Sequence, residues 1–320
     1  QNMGNLTIMT GFLLMGFSNI WELQVLHAML FLLIYLMALI GNLLIFTLIS
    51  LDGHLHTPMY FFLKNLSFLD LCLISVTVPK SIVNSLSRSC YISYLGCVLQ
   101  LFLVILFAGS EISLLTVMSY DRYVAICQPL YYETIMIKGY CVKMAVASWF
   151  SGGVVGAMYS ASTFSLPFCG SKMIHQFFCD VPSLLRISCS ENHIVVYVSI
   201  AIGLGLGIFC CISIIISYGH IFSMVLKIPA KEGRSKAFST CLPHLIVFIV
   251  FIITGAMAYL KPSLDTDSVL DLLLSMFYTV VPPVLNPVIY SLRNKDMKSS
   301  LRKLITWKYS SEELMKKSFP

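Results

Sequence analysis

The sequence predicts an all-α membrane protein, a bundle of seven transmembrane helices with its amino terminus outside the cell and its carboxyl terminus in the cytoplasm. Of its 320 residues, 58% are hydrophobic and 11% are charged, whereas typical globular proteins carry about 25% charged residues. The apolar residues come in blocks of about 20 or more, the length that crosses a hydrocarbon core of about 30 Å as a helix. The mean hydropathy of +0.84 agrees with this class.

Seven apolar spans follow one another in a single domain. Their approximate bounds are 25–49, 58–78, 98–120, 141–162, 193–226, 237–260 and 270–291. We predict residues 1–24 to be an extracellular amino terminus, 25–291 the bundle, and 292–320 a cytoplasmic tail that begins with a short basic amphipathic helix. No basic segment with a small-residue cleavage site precedes the first span, so that span is expected to direct membrane insertion itself.

The distribution of Lys and Arg predicts the orientation. With the amino terminus outside, most basic residues fall in the inner loops and tail, and those near the outer side are Lys80, Arg88, Lys172, Arg186 and Lys261. This asymmetry satisfies the positive-inside rule. It also accounts for the net charge of +6 without a nucleic-acid partner. Asn5 heads a sequon in the outer segment and is a predicted glycosylation site.

Five cysteines fall on the outer side in this topology, where disulfides form and persist. Cys97 heads the third span, and Cys169, Cys179 and Cys189 lie in the loop between spans four and five. A Cys97–Cys179 bridge would pin that loop over the bundle, and a Cys169–Cys189 bridge would close a loop within it. The sequence alone leaves the pairing open. Cys90 is the outer cysteine left over.

The third span carries charge on one helical face. Asp121 and Arg122 stand at its inner end, and an intramembrane charge costs about 3 kcal/mol, so such charges are usually functional. The alternative is that the pair only marks where the helix leaves the lipid. Glu111 lies eleven residues before Arg122, which returns it to within about 20° of the same face, about 16 Å farther out. Val104 and Ala108 continue this face outward.

Asp70, Glu111 and Asn286 are polar groups near mid-depth on three different spans. Buried carboxylates must be protonated, paired or bound to a cation. With Ser113 and Asn42 nearby, the three groups predict a sodium site. The alternative is one shared proton with hydrogen bonds to the amides. The prolines at 282, 283 and 287 predict a hinge in the seventh span, or a static kink.

Other motifs carry no function. His54-x-His56 and Cys241-x-x-His244 lack the further ligands of a metal site. The sequence has no phosphate-binding loop, nucleophile elbow or zinc-protease motif, so we predict no enzyme. A transporter or channel would be expected to show internal repeats, paired broken helices or a polar pore, and the sequence shows none of these.

Long motifs, together with the seven spans, give a family resemblance. They stand in order across nearly the whole chain, and they are LHTPMYFFLKNLSFLDLC (55–72), MSYDRYVAIC (118–127), Ser217-Tyr218, KAFSTCLPHL (236–245) and PVLNPVIYSLRNKDMK (283–298). The chain thus resembles the vertebrate olfactory receptors, within the rhodopsin-like (class A) G-protein-coupled receptors. The additional loop cysteines Cys169 and Cys189 also match the pattern of that family.

The resemblance implies a receptor in the plasma membrane, in the cilia of olfactory neurons. It would bind a small volatile odorant and activate a heterotrimeric G protein of the olfactory stimulatory type, which raises cyclic AMP. Spans three, five and six would separate on the inner side to admit a helix of the G protein. The residues implied in coupling and activation are Asp121, Arg122, Tyr123, Tyr218, Asn286, Pro287 and Tyr290. The sodium site at Asp70, Glu111 and Asn286 is likewise a family expectation. The alternative is a non-olfactory receptor of the same fold for a small metabolite.

The resemblance also implies an odorant cavity at matching positions. Its lining would be Val104, Ile105, Ala108, Gly109, Ile202, Leu206, Ile252, Gly255, Tyr259, Met276 and Thr279. This lining is mostly aliphatic, which favours a small apolar ligand held by shape. Two positions depart from the family pattern: Ile252 replaces a common tyrosine and Pro243 a common serine. Tyr259 therefore becomes the last polar candidate of the sixth span.

Overall fold

The computed structural model describes residues 10–14, 20–87, 90–169, 172–259, 269–293 and 296–303, with only the backbone at 236, 257–259, 269–275 and 292–293. The predicted glycosylation site Asn5 lies outside these residues.

Long helices make up most of the described chain. In order, the helices are α1 (Trp21–Leu51), α2 (Pro58–Ser87), α3 (Tyr94–Cys127), α4 (Tyr132–Ile135), α5 (Lys138–Phe164), α6 (Val181–Ile187), α7 (Ile194–Leu226), α8 (Lys231–Tyr259) and α9 (Val269–Arg293). Single 3-10 turns occupy Gly53–Leu55 and Pro129–Tyr131. Residues 296–303 form a further short helix after α9, within the segment predicted as an amphipathic helix.

The long helices form the predicted seven-helix bundle. Helices α1, α2, α3, α5, α7 and α8 are long and apolar enough to cross a membrane, and α9 is the seventh long helix of the bundle. Helix α3 is central and packs against α2, α5, α7 and α8, while α9 packs against α1, α2 and α8. The prediction of an all-α bundle of seven helices is confirmed.

Pro79 lies within α2, and a side chain of α3 contacts the backbone in the turn before it. We expected Pro79 to end the second span, but α2 continues past it to Ser87. Gln100 of α3 donates to the carbonyl of Val76, in the turn before this proline, at 3.0 Å. Proline lacks the N–H that bonds four residues back. The carbonyl that loses its helical donor at Pro79 is therefore that of Ser75, and the carbonyl that Gln100 contacts is the next one along the chain.

A small sheet covers the outer end of the bundle. The strands are β1 (Gly11–Leu14), β2 (Tyr91–Ser93) and β3 (Met173–Ile174), in the order β2-β1-β3. Strand β1 pairs antiparallel with β2 and parallel with β3. Phe12 and Leu14 are buried, and a Cβ at Gly11 would collide with the carbonyl of Ile92. The sequence did not predict this sheet.

Two disulfides fix the outer loop. Cys97 bonds Cys179 with their Cα atoms 5.6 Å apart, and Cys169 bonds Cys189 with a Cα separation of 5.9 Å. Both bridges considered from the sequence are therefore present. The first ties the outer end of α3 to the segment before α6. Cys90 is a free thiol.

Candidate functional site

A buried polar cluster joins α2, α3 and α9 at the centre of the bundle. Asn286 Nδ2 donates to Asp70 Oδ2 at 3.0 Å and to Glu111 Oε1 at 3.1 Å. The three side chains are at most 2% exposed. One amide therefore bridges two carboxyl groups on different helices. Because both carboxyls are buried, the cluster needs a proton or a cation to limit its negative charge.

Further oxygens around this cluster have free hydrogen-bonding capacity. Asn286 Oδ1 and the Tyr290 hydroxyl are buried without a hydrogen-bond partner among the described residues. Ser110 Oγ is also unpartnered among these residues, but it faces α5, because a Cβ at Gly152 would collide with it. Leaving such a group unpaired costs about 1–3 kcal/mol, so these oxygens favour a polar guest. Ser110 was not predicted, although it directly precedes Glu111.

Two residues predicted near the cluster act elsewhere. Ser113 bonds the Gly109 carbonyl at 2.9 Å and the Ser151 hydroxyl of α5 at 3.0 Å. Asn42 Nδ2 donates to the Pro283 carbonyl at 2.8 Å. Pro283 lies four residues before Pro287, whose missing N–H leaves that carbonyl without its helical donor.

The inner end of α3 holds a buried ion pair. Arg122 donates to Asp121 Oδ2 from its terminal nitrogen at 2.8 Å and from Nε at 3.1 Å. The Tyr132 hydroxyl of α4 donates to Asp121 Oδ1 at 2.8 Å. Burial and then the Asp121 charge raise the pKa of Tyr132, so its hydroxyl remains a donor. Sequence reasoning missed Tyr132, because nothing in its local pattern indicates this contact.

A histidine connects three helices about two turns farther from the inner end of α3. His244 of α8 contacts the Leu115 carbonyl of α3 through Nε2 and the Tyr218 hydroxyl of α7 through Nδ1, both at 2.9 Å. A carbonyl only accepts, so Nε2 carries a proton and donates. An imidazolium would be costly at this fully buried position. The neutral ring therefore accepts from Tyr218 at Nδ1. We had considered His244 only as a metal ligand.

The remaining predicted coupling residues lie between these groups. Tyr290 is 1% exposed. Pro287 packs so closely on α1 that a Cβ at Gly41 would lie 2.9 Å from the Pro287 Cβ. The Tyr123 ring lies 5.8 Å from the His220 ring of α7, measured between centroids. Of the predicted set, Asp121 and Arg122 form the ion pair, Tyr218 belongs to the histidine link and Asn286 to the polar cluster, whereas Tyr123 and Pro287 make ring and packing contacts.

The outer cavity lies between α3, α9 and the segment that leads into α6. It measures about 10 Å³, and its wall includes the predicted Val104 and Ile105. The residues that sequence reasoning missed are Leu101 and Tyr278 on the helices and 178–182 on the outer loop. The Cys97–Cys179 bridge holds this loop in place. Gln100 Oε1 also accepts from the Cys179 N–H at 2.9 Å. Asp180 adds a carboxylate to an otherwise mainly apolar wall.

Several predicted lining residues lie away from this cavity. Gly109 faces α5, because a Cβ there would lie 3.2 Å from the Gly152 Cα. Ile202 and Leu206 of α7 are 48% and 47% exposed, and neither is part of the cavity wall. On the helical phase of α3 and α7, these three residues lie outside the wall of this cavity, and their role in ligand binding stays a prediction.

The other predicted positions belong to the surrounding interior. Ile252 and Met276 pack against the main core. Thr279 is buried, a Cβ at Gly255 would meet open space, and Ala108 is partly buried. The side chain of Tyr259 lies outside the described residues.

Comparison with known proteins gives one family. A sequence model of the family described as olfactory receptor matches residues 31–308. Human olfactory receptor 14A2 is 62% identical over 310 residues, which cover 97% of this chain and 99% of that protein. Human olfactory receptor 14K1 is 57% identical over 315 residues, covering 98% and 100% of the two chains.

A solved structure supports the fold. The crystal structure of squid rhodopsin matches with a TM-score of 0.71 over 91% of this chain and 87% of that one. At 17% sequence identity, this similarity concerns the arrangement of the helices alone.

Proposed function

The chain belongs to the olfactory receptor family, and we propose that it binds a small, mostly apolar volatile ligand and activates an olfactory stimulatory G protein that raises cyclic AMP. Members of this family are signalling receptors in membranes rather than enzymes. The amino terminus would face outward and the receptor would lie in the plasma membrane of olfactory cilia. The excess of Lys and Arg in the inner loops and tail supports this orientation.

The observation that carries the proposal is that α3 takes part in every group described above. Val104 lines the outer cavity, Glu111 accepts from Asn286, the Leu115 carbonyl contacts His244, and Asp121 holds Arg122. A ligand that displaces the outer part of α3 would therefore strain the hydrogen bonds at the inner end of the same helix.

The residues that line the outer cavity indicate the chemical class of the ligand. Leu101, Val104 and Ile105 supply apolar surface on α3, and burying such surface stabilises a complex by about 25 cal/mol per Å². Asp180 and Tyr278 supply the polar groups of the described wall. The cavity of about 10 Å³ has room for about one water molecule, so a small apolar molecule with one hydrogen-bonding group would bind here only after the wall moves apart.

Activation would release the inner contacts. The ion pair holds Arg122 against its own helix, and His244 joins the inner parts of α3, α7 and α8. Separation of these helices breaks the His244 link and opens a path for the G protein to Arg122, whose pair with Asp121 lies within α3.

We propose that the polar cluster of Asp70, Glu111 and Asn286 binds a sodium ion. Asp70 and Glu111 would supply charge, and the unpartnered oxygen of Asn286 would add a neutral ligand. All of these ligands are oxygens, the donor type that hard cations prefer. Glu111→Gln is expected to abolish the difference in basal signal between sodium and potassium buffers. A difference that persists at normal surface expression would favour the shared proton.

The proposed function is tested in cells that report cyclic AMP against an odorant panel. At least one odorant is expected to raise the signal, and Arg122→Ala is expected to abolish the response. Lys143→Ala is the matched control, because Lys143 is an exposed cation of α5 that contacts Tyr140. Failure of every odorant together with a response to a metabolite panel would favour the non-olfactory receptor. A response that survives Arg122→Ala would contradict the coupling role.

A further inference from the structure

A second cavity lies at the opposite end of the bundle from the outer cavity. It measures about 610 Å³ and lies where the end of α1, the start of α2 and the start of α5 meet. Its floor is apolar and includes the buried side chains of Ile49, Leu55 and Met136. Its polar members include His56, Lys64 and Lys138. We call it the inner cavity.

The two lysines of the inner cavity lack acidic partners. Lys64 is partly buried and lies six residues after Pro58, the first residue of α2, which places it about 9 Å along the helix. Its ammonium lies 4.5 Å from the centroid of the Phe46 ring. Within the described part of the chain, no carboxylate lies within ion-pair distance of Lys64 or Lys138. A cation at this depth is costly unless an anion accompanies it.

Backbone N–H groups at the starts of α2 and α5 add to the positive electrostatic potential of the inner cavity. The cavity wall includes Pro58 and Lys138, the first residues of α2 and α5. Ile137 precedes α5 and provides no side-chain cap. The first N–H groups of a helix lack intrahelical acceptors and carry partial positive charge. None of the described residues that line the inner cavity is acidic.

We propose that the inner cavity binds an anionic phospholipid of the cytoplasmic leaflet. Lys64, Lys138 and His56 hold the phosphate, and an acyl chain lies along Ile49 and Met136. A lipid fits better than a soluble phosphate because the cavity combines cations with a buried apolar floor. The cytoplasmic leaflet is rich in such anionic lipids. The assignment to that leaflet rests on the proposed orientation of the receptor.

The test uses purified full-length receptor in phosphatidylcholine nanodiscs that contain fluorescent phosphatidylinositol bisphosphate. We expect wild-type receptor to bind this lipid and the K64Q/K138Q double variant to bind it at least tenfold more weakly, since each lysine contributes about 1 kcal/mol. The K64R/K138R variant should retain binding because it keeps both charges. The matched control is Lys227→Gln, at the end of α7 on the same side of the bundle, which should bind like wild type.

Several results would overturn the proposal. They are absence of lipid binding by wild type, unchanged binding by the K64Q/K138Q variant, or an equal loss in Lys227→Gln. Inositol trisphosphate is expected to compete at least tenfold more weakly than the lipid, and equal competition would identify a soluble phosphate instead. If the double variant does not fold, Met136→Trp fills the cavity with both lysines in place and should weaken binding; unchanged binding overturns the proposal. These measurements need neither odorant nor G protein, so they are independent of the signalling function.

Discussion

Replacing His244 by phenylalanine is expected to raise the signal of the receptor without ligand. The ring of His244 stacks on Tyr218 with centroids 5.6 Å apart and an interplanar angle of 24°. Phenylalanine retains a flat ring at this place but removes both hydrogen bonds that His244 makes with Leu115 and Tyr218. The substitution therefore acts on the link between helices rather than on the packing.

The size of the effect follows from the two bonds. Each neutral hydrogen bond contributes about 1 kcal/mol net. The inactive arrangement thus loses about 2 kcal/mol relative to one in which α8 has moved away from α3. Since about 1.4 kcal/mol corresponds to a tenfold change in an equilibrium constant, the ratio of inactive to active receptor falls about thirtyfold.

The assay is basal cyclic AMP divided by surface expression. Thr254→Val is the matched control, because the Thr254 hydroxyl bonds only carbonyls of its own helix, Val250 at 2.8 Å and Phe251 at 3.1 Å. This control should leave the basal signal unchanged. A basal signal of His244→Phe that equals or falls below wild type, at normal surface expression, would refute the link as an inactive-state contact.

Three further predictions concern packing, ligand binding and pH. Gly152→Val should strongly reduce surface expression, because a Cβ there collides with the Leu106 carbonyl; Gly205→Val, where a Cβ meets open space, should not. Val104→Trp should shift odorant potency at least tenfold without changing the basal signal, because Val104 lines the outer cavity; unchanged potency would remove it from the binding wall. A hydrogen bond from Ser300 lowers the pKa of Asp52 below 3.8, so the carboxylate contact is present above that pH and is lost as the pH falls through the lowered pKa. Protection factors in residues 296–303, which are corrected for the intrinsic pH dependence of exchange, should fall as the pH passes below the lowered pKa of Asp52. Equal protection across that whole acidic range would contradict the anchoring role.

The sequence predicts the helices well because their signal is local. Each span is an apolar block of bilayer length, and this pattern does not depend on the rest of the chain. The extent of α2 was harder to predict, since Pro79 is a helix breaker unless another helix supplies a donor. Gln100 of α3 donates to the Val76 carbonyl, three residues before Pro79, and this contact becomes apparent only when α2 and α3 are placed side by side.

Residues of the candidate site could be predicted only where the sequence of a single helix, or the family pattern, indicates them. Glu111 and Asn286 stand out because polar groups are rare at mid-depth, and the structure brings them within 3.1 Å. His244 and Tyr132 were missed because their roles depend on partners from other helices. Strand β1 was missed for a similar reason, since its pairs come from two distant loops.

The free energy of the hydrogen bonds along α3 is similar in size to the binding free energy that a small ligand can contribute. The Leu115 carbonyl and Glu111 each take part in one neutral or shared hydrogen bond with another helix, worth about 1 kcal/mol apiece. Burying about 100 Å² more apolar surface in one arrangement than in the other would supply about 2.5 kcal/mol. A ligand shifts an equilibrium only by its difference in affinity for the two states. A strong ion pair between two helices would cost more to break than this difference in affinity. Asp121 and Arg122 pair within α3 itself, so their ion pair does not prevent the helices from separating.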